Sequence, residues 1–328
     1  MNAPGTNKMA SVTILLSNYN HEKYLPDSLW HICNQTRPAD QIIIVDDGST
    51  DNSLDVINEF KKQFPHIQVI ENGQNIGLQA TITRTLDLVD TDYLVWAASD
   101  DRLLPNFLER NMALLEHHPE AGLAFSETSV LLGDTEEIDR FAINPSVKWI
   151  FDLSNLPEFL SENALRKRMQ SAYLPIASNS SVINVKFLRN LGGFPRALEW
   201  HSDWFMVYAL SMIHGCCIVP DTLALIRSNP DSYSDNMRDG EAQKKVLLSM
   251  LAILRRKEFA IPRSYFRACP SNLSPFGVLM LKVLATRPLD WDLFVPYFIW
   301  KAKEYKRGHG LTWGTTFKNF VKRALRIT

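Results

Sequence analysis

"IIIVDDGSTDNS", residues 42–53, sets four β-branched residues directly before two carboxylates, a glycine and a run of short polar side chains. Ile42 to Val45 reads as a strand buried on both faces, because a half-buried strand would alternate apolar with polar residues. Asp46 and Asp47 then stand where that strand ends, with no basic residue near them in sequence. "STDNS" offers N-caps to a following helix that carries Leu54, Ile57 and Phe60 on one face.

The same alternation extends on both sides. "VTILLS" (12–17) is a buried strand, followed by a helix with Leu25, Leu29 and Ile32 at spacings of four and three. "IQVI" (67–70) is a third strand, and "NGQNIG" turns the chain into a helix holding Ile82 and Leu86. "YLVWAA" (93–98) and "LAFS" (123–126) are the fourth and fifth. Strands separated by helices imply βαβ units and an α/β fold, with a mostly parallel, Rossmann-like sheet flanked by helices. From 127 to 235 the pattern is less regular: "LGGF" (191–194) marks a turn, and "DWFMVYALSMIHG" (203–215) is a helix closed by Gly215. Beyond 240 the chain reads as a helical extension, with Val246, Leu247, Met250, Leu251 and Leu254 on one face. The expected division is 1–130, 131–238 and 239–328.

Composition narrows the function classes. The 328 residues are 45% hydrophobic and 22% charged with a formal net charge of −1, ordinary for a globular protein and unlike a nucleic-acid binder with a wholly basic surface. Cys33, Cys216, Cys217 and Cys269 form no C-x-x-C pair and no zinc spacing, and read as free thiols of a reducing compartment. The N-terminal apolar run is too short for a signal sequence, and no stretch reaches the ~18 apolar residues of a membrane span, so a cytoplasmic location is expected. Residues 301–328 hold eight Lys and Arg against one acid, Glu304. With the aromatics of 291–300, this suggests peripheral contact of residues 291–328 with an anionic membrane at its inner face. A helix packed on its own domain with a solvated basic side explains the same pattern.

Ligands of open α/β sheets bind beyond the carboxyl ends of the strands. Three strands here end in "SNYN" (17–20), "DDGSTD" (46–51) and "ASDD" (98–101). With 21 Asp in the chain, chance supplies about one Asp-Asp pair, so the location of the two pairs matters more than their existence. Clustered carboxylates repel unless a cation is present, and Mg²⁺ or Mn²⁺ shared with a ligand's phosphates would relieve them. Neither G-x-x-x-x-G-K-[ST] nor G-x-G-x-x-G occurs to hold phosphate another way. The plainer explanation, helix capping by Asp, suits Asp51 best.

The combination "VTILLSNYN…YLPDSLWHICNQTRPADQIIIVDDGSTDNS…ENGQNIG…DYLVWAASDDRLLPNFLE" resembles the nucleotide-binding half of family 2 glycosyltransferases, inverting enzymes of the GT-A fold, over residues 11–130. "GGFPRALEWHSDWFMVYALSMIHGCCIVPDTLALIRSNPDSYS" (192–234) resembles the acceptor half. The resemblance implies a GT-A domain. It places Asn18, Tyr19, Asp46, Asp47, Ser99 and Arg227 at the nucleotide sugar: Tyr19 stacks on the base, Asp47 or Asp46 accepts its N–H, and Ser99 meets the ribose. Asp46 can instead hold its loop through Ser49 or Thr50. Asp100 and Asp101 align with the family's metal-binding D-x-D, although Ala98 stands where many members have the first Asp. Arg84 is a weak further candidate for the nucleotide. Asp203, between Trp200 and Trp204, matches the acidic catalytic base, with Ser202 in place of the usual Glu and with Glu199 and His201 as substitutes. Arg227 matches a loop that closes over phosphate, where Asn229 replaces a His.

The implied function is transfer of a sugar, with inversion and with a divalent metal, from a nucleotide-diphosphate sugar to a hydroxyl. The donor is expected to be UDP- or dTDP-linked and the acceptor a glycan or a lipid-linked molecule, as in polysaccharide biosynthesis. Two other classes fit the same sheet and carboxylates. A nucleotidyltransferase usually needs a Gly/Arg/Lys-rich loop after the first strand, and "SNYNHEKY" lacks the glycines. A non-catalytic nucleotide-sugar-binding module is suggested by Ala98 and Asn229.

Overall fold

The computed structural model describes residues 9–133, 135–139, 153–171, 173–228 and 240–309. The chain divides into two compact units, 1–162 with 175–196 and 202–230, and 163–174 with 197–201 and 231–328. In the first, β1 (Val12–Asn18), α1 (Leu25–Cys33), β2 (Gln41–Asp46), α2 (Ser53–Gln63), β3 (Ile67–Glu71), α3 (Leu78–Leu86) and β4 (Tyr93–Ala98) alternate without interruption. Then come β5 (Arg102–Leu103), α4 (Phe107–His117), β6 (Leu123–Leu132), β7 (Ile138–Asp139), β8 (Phe159–Leu160), α5 (Glu162–Ser171), β9 (Ser181–Asn184), α6 (Val185–Asn190), α7 (Ser202–His214) and β10 (Cys216–Ser228). α8 (Gly240–Ile253), α9 (Ala260–Ala268), α10 (Gly277–Ala285) and α11 (Trp291–His309) belong to the second unit, as does most of α5.

The sheet runs β3-β2-β1-β4-β9-β6-β10-β5. Its first four strands are parallel, β9 is antiparallel to both β4 and β6, and β6 and β10 are parallel again. The five strands anticipated from sequence lie in β1 to β4 and β6, giving the mixed α/β sheet flanked by helices. The division drawn at 130 falls inside β6, because the sheet is continuous there and β6 pairs with both β9 and β10. The boundary at 238 lies outside the described residues.

Every residue of β1 except Ser17 is buried, as double-sided helix cover requires. Val12, Ile14, Leu16, Ile42, Ile44 and Val95 form one cluster with Leu25 and Leu29 of α1 and Phe107, Met112 and Leu115 of α4. Register makes this core positional: Asn18 pairs with Asp46, and Ser17 with both Val45 and Ala98. The carboxyl ends of β1, β2 and β4 therefore finish level. Gly215 closes α7 at φ +76°, and a Cβ there would come 2.5 Å from the Leu160 carbonyl oxygen. The four cysteines are free, and burial pushes the thiols of Cys33 and Cys217 up to about 12, Cys269 up to about 11 and Cys216 beyond them.

The second unit is helical. Among the described residues no single helix is long and apolar enough to cross a membrane; the segments Lys257–Ala268 and Pro270–Ala285, bent by 89°, reach that length and composition only together. Tyr297 is buried and donates to the carbonyls of Leu273 and Gly277. Asp290, fully buried, accepts from Arg255 Nε at 3.0 Å, from Arg255 Nη2, from Arg263 Nη2 at 3.2 Å and from Arg287 Nε at 3.0 Å. Burial alone would raise its pKa, but the hydrogen bonds from Arg255, Arg287 and Arg263 outweigh it and hold the carboxyl below its ordinary range. The stabilisation is therefore present at neutral pH and lost as pH falls through that lowered value. Asp290→Asn leaves three guanidinium groups around a neutral side chain and is expected to cost about 3 kcal/mol. Urea unfolding measures it; an unchanged midpoint would remove the cluster as a source of stability.

Candidate active site

The loops that leave β1 and β2 are tied together by hydrogen bonds from side chains to backbone and to one another. Asn18 Nδ2 donates to Asp46 at 2.8 Å, Ser49 Oγ accepts the Asn20 N–H at 2.9 Å, and Asn20 Oδ1 accepts the Thr50 N–H at 2.7 Å. Asp51 accepts the N–H groups of Glu22 and Ser53, while Glu22 accepts that of Asn52, the N-cap position of α2, so Asp51 is part of the same lacing and not the cap itself. Glycine is needed at position 48. Its φ is +76°, and a Cβ would sit 2.4 Å from the Gln74 carbonyl carbon, so the loop after β2 lies directly on the loop after β3.

Asp47 joins those two loops. Its Oδ1 accepts from Asn72 Nδ2 at 2.9 Å, Thr81 Oγ1 at 2.9 Å and the Ile76 N–H at 3.1 Å, and its Oδ2 accepts the Gly77 N–H at 2.9 Å. A carboxylate offers about four acceptor sites. Asp47 accepts three on Oδ1 and one on Oδ2, so in this fold it is a loop anchor, with one acceptor site of Oδ2 left. Arg84, the weak nucleotide candidate, donates to Asn72 Oδ1 at 3.0 Å and so supports the same anchor. Asp46, 1% exposed, accepts from the Ser49 N–H, Ser49 Oγ and Asn18 Nδ2, which leaves one site. Holding the loop through Ser49 is what its hydrogen bonds show. The Oδ1 of Asn18 is buried with no partner among the described residues. Tyr19, in contrast, is 43% exposed, as a platform for a planar ring requires.

Beyond β4, Ser99 Oγ and His21 Nδ1 share a hydrogen bond of 2.7 Å, which ties this loop to that of β1. The side chain of Asp100 makes no hydrogen bond or ion pair to a described residue. Asp101 accepts from Asn179 Nδ2 at 3.0 Å and from the Arg227 N–H at 3.0 Å, and burial and then the Asp100 carboxylate push it up to about 7. Arg227 packs inward. Its Nη2 donates to Asp27 at 2.8 Å, Nη1 to the Gly133 carbonyl at 2.8 Å and Nε to the Asp100 carbonyl at 3.1 Å, over the Tyr24 ring at 4.9 Å. Three of its five N–H groups are engaged within the fold, so its visible role is to set where Asp100 and Asp101 stand. Arg102 reinforces this through Asp27 and a two-pronged contact with Glu136. Asn229 lies outside the described residues.

Among the described residues no group of three or more His, Cys, Asp or Glu could hold a metal by itself. Two adjacent hard-oxygen donors, one of them unengaged, fit Mg²⁺ or Mn²⁺ in its usual form, one or two carboxylates completed by substrate phosphate and water.

Asp203 opens α7. It accepts from Ser178 Oγ, and its carboxyl is enclosed enough that burial raises its pKa, with the Ser178 hydrogen bond and the Trp204 N–H opposing. Ser178 and Asn179 are neighbours in one short turn, Ser178–Ser180, so one turn supports Asp203 and Asp101 together. Neither was expected from sequence; the available signal was "ASNSS" (177–181), small polar residues directly before a buried strand. Ser202, where the family's Glu was expected, is buried and donates to the Pro195 carbonyl. The substitutes Glu199 and His201 belong to the second unit, where His201 pairs with Gln243 and meets Phe276 edge-on at 5.1 Å. Glu199 has φ +46°.

Asp47→Asn cannot accept all four bonds and is expected to lower stability by about 2 kcal/mol or more, whereas Tyr19→Ala should leave the urea midpoint in place. Equal midpoints for Asp47→Asn and the parent chain would free Asp47 for a role on a ligand.

Comparison with known proteins agrees with this geometry. Residues 13–168 match the model of "Glycosyl transferase family 2". The chain is 30% identical over 142 residues to TuaG of Bacillus subtilis, a glycosyltransferase named for teichuronic acid biosynthesis; the match covers 43% of this chain and 55% of TuaG, so the chain spans about half of that relative. Among solved structures, residues 1–349 of S. aureus TarS in complex with UDP-GlcNAc superpose with a TM-score of 0.62 at 13% identity, covering 92% of both chains. The mannosyltransferase PcManGT of Pyrobaculum calidifontis, in complex with GDP-Man and Mn²⁺, gives 0.52 at 15% identity over 97% of this chain and 88% of its own. These two likenesses bear on the fold, which is of the GT-A type. Over residues 13–168, just under half of its length, the chain is similar to glycosyl transferase family 2.

Proposed function

We propose that this chain is a glycosyltransferase that moves a sugar from a nucleotide-diphosphate sugar to an acceptor hydroxyl with inversion, and that the acceptor is a glycan or a lipid-linked molecule. The observation that carries the reading is the turn Ser178–Ser180, which joins a carboxyl of raised pKa, Asp203, to the carboxylate pair at the end of β4. A base for the acceptor and a charge site for the diphosphate are thus braced by adjacent residues.

Each residue has a task in this reading. Tyr19 stacks on the base, and the open acceptor site of Asp47 Oδ2 or of Asp46 Oδ1 takes a uracil or thymine N–H. Ser99 and the unpartnered Oδ1 of Asn18 face the remaining polar groups of the nucleotide. Asp100 and Asp101 would hold Mg²⁺ or Mn²⁺, which when bound neutralises charge on the departing diphosphate. The PcManGT complex, with GDP-Man and Mn²⁺, and the TarS complex, with UDP-GlcNAc, support such a donor. Arg227 acts at one remove, by fixing the backbone of Asp100 and the carboxylate of Asp101. Asp203 takes the proton from the acceptor hydroxyl as the new bond forms, and its raised pKa makes it a stronger base than an exposed Asp.

Thermal shift and turnover across UDP-, dTDP- and GDP-sugars, with and without Mn²⁺, test the function. Stabilisation and sugar transfer with a uridine or thymidine donor are expected, and no response to any donor would overturn it. Asp100→Ala is expected to remove the Mn²⁺-dependent part of UDP affinity in calorimetry with the fold intact; unchanged affinity and metal response would cancel the metal assignment.

Asp203→Asn keeps size and capping capacity but cannot take a proton, so kcat should fall at least about a hundredfold at similar donor affinity. In the parent enzyme the acidic limb of kcat/KM should lie above the ordinary carboxylate range, with activity rising as Asp203 deprotonates. Stability runs the other way. A raised carboxyl favours the fold below its unfolded pKa, and that gain is lost as pH rises through the raised value. Asp203→Asn should therefore not lower Tm at neutral pH, and a variant that keeps most of its turnover would make Asp203 only a helix cap.

A further inference from the structure

The last part of the chain is electrically unlike the rest. Residues 254–328 hold 15 of the 35 Lys and Arg but only 4 of the 36 Asp and Glu, a net +11, while residues 1–253 carry −12. The same region displays apolar side chains. Leu289 is 76% exposed, more than any other large apolar residue among the described ones, and Trp291 is 51% exposed. Between them Asp290 is fully buried.

That contrast within three residues has a mechanical cause. Arg255, Arg263 and Arg287 come from three places in the sequence and clamp the Asp290 carboxylate, and Arg263 also donates to the Leu289 carbonyl at 3.2 Å. The turn is thus held from inside while its two apolar side chains are held outside. The pattern continues along α11: Val295 and Ile299 follow Trp291 at successive spacings of four, each about half exposed. Lys303 is the next residue on that line, and Lys301 and Lys306 flank it. On α9 and α10, Ile261 and Val278 are exposed as well.

We propose that the turn at Leu289 and Trp291 and the Val295–Ile299 face of α11 form a peripheral docking surface for an anionic lipid bilayer. Leu289 and Trp291 enter the region between headgroups and acyl chains, Trp being suited to that boundary. The surrounding Arg and Lys meet lipid phosphates, and the helix lies in the plane of the surface rather than across it. Charge favours this occupant over a second copy, since residues 254–306 alone hold ten Lys and Arg against four Asp and Glu, and like-charged regions repel. The surface would hold the chain where a lipid-linked acceptor resides, yet the proposal stands without the proposed transfer activity.

Flotation of the full chain with vesicles tests it. Binding is expected to phosphatidylcholine vesicles containing phosphatidylglycerol and not to phosphatidylcholine alone, with release by added salt and a blue shift of tryptophan fluorescence on binding. The double variant Leu289→Ser, Trp291→Ser is expected to lose at least tenfold in partitioning, and Val295→Ser, Ile299→Ser to weaken it independently. All four side chains are exposed, so circular dichroism and donor turnover in vesicle-free solution should match the parent. Equal partitioning of the parent and both double variants would overturn the proposal. So would failure to bind vesicles together with self-association in sedimentation that the variants abolish, which would assign the face to a second copy.

Discussion

The structure turns on one buried carboxylate. Asp47 stands at the end of β2 and accepts four hydrogen bonds from residues of the next loop and helix, at 2.9–3.1 Å. An ionised group inside a protein is costly unless its lone pairs are met. Here they are met by two backbone N–H groups, an amide and a hydroxyl, all neutral. Among the described residues no cation touches the Asp47 carboxylate itself, and Arg84 supports it only through Asn72. Once the loop after β3 is fixed, Gly48 can press against Gln74, the loop after β2 lies flat, and Asn18 and Asn20 fasten the loop after β1 to it.

Two kinds of carboxylate therefore share one sheet edge. Asp46 and Asp47 are largely saturated by the fold and set its shape. Asp100 has no side-chain hydrogen bond or ion pair among the described residues, and Asp101 and Asp203 carry raised pKa values because burial, joined at Asp101 by the Asp100 carboxylate, is only partly offset by hydrogen bonds. Ionisable groups left under-compensated in a pre-organised frame are the ones available for chemistry. The inward packing of Arg227 belongs to the frame: it holds the Asp100–Asp101 turn against Asp27 and Tyr24 and leaves the charge of that turn open.

The sequence carried the order of elements well, because strands buried on both faces are written as apolar runs and helices as a three-and-four spacing. "IIIV" and "VTILLS" admit little else. The candidate site was proposed from residues at strand ends, Tyr19, Asp46, Asp47, Asp100 and Asp101, whose place at the end of the sheet was legible. The division of labour among these residues was not legible. That Asp47 anchors the loop after β3 depends on Asn72 and Thr81, which reach it from the next loop and helix. Ser178 and Asn179 were missed for a related reason: they have no periodicity, and their partners Asp203 and Asp101 are 25 and 78 residues away. Long-range hydrogen bonds of small polar residues leave no local signature. β9 was hidden because four residues, "SVIN", insert antiparallel between strands that otherwise follow a parallel plan.

The buried thiols have a consequence for the chain's chemistry over time. Attack on an oxidant or a disulfide proceeds through the thiolate, and the rate follows the thiolate fraction. With all four sulfurs held far above neutral pH by burial, that fraction is very small while the fold is intact. Modification of the three buried thiols, Cys216, Cys217 and Cys269, by peroxide or an alkylating agent is therefore expected to be slow in the folded chain. Those three sulfurs are reached on opening of the structure, so their rate of modification would serve as a clock for unfolding, with the half-buried Cys33 as the internal reference.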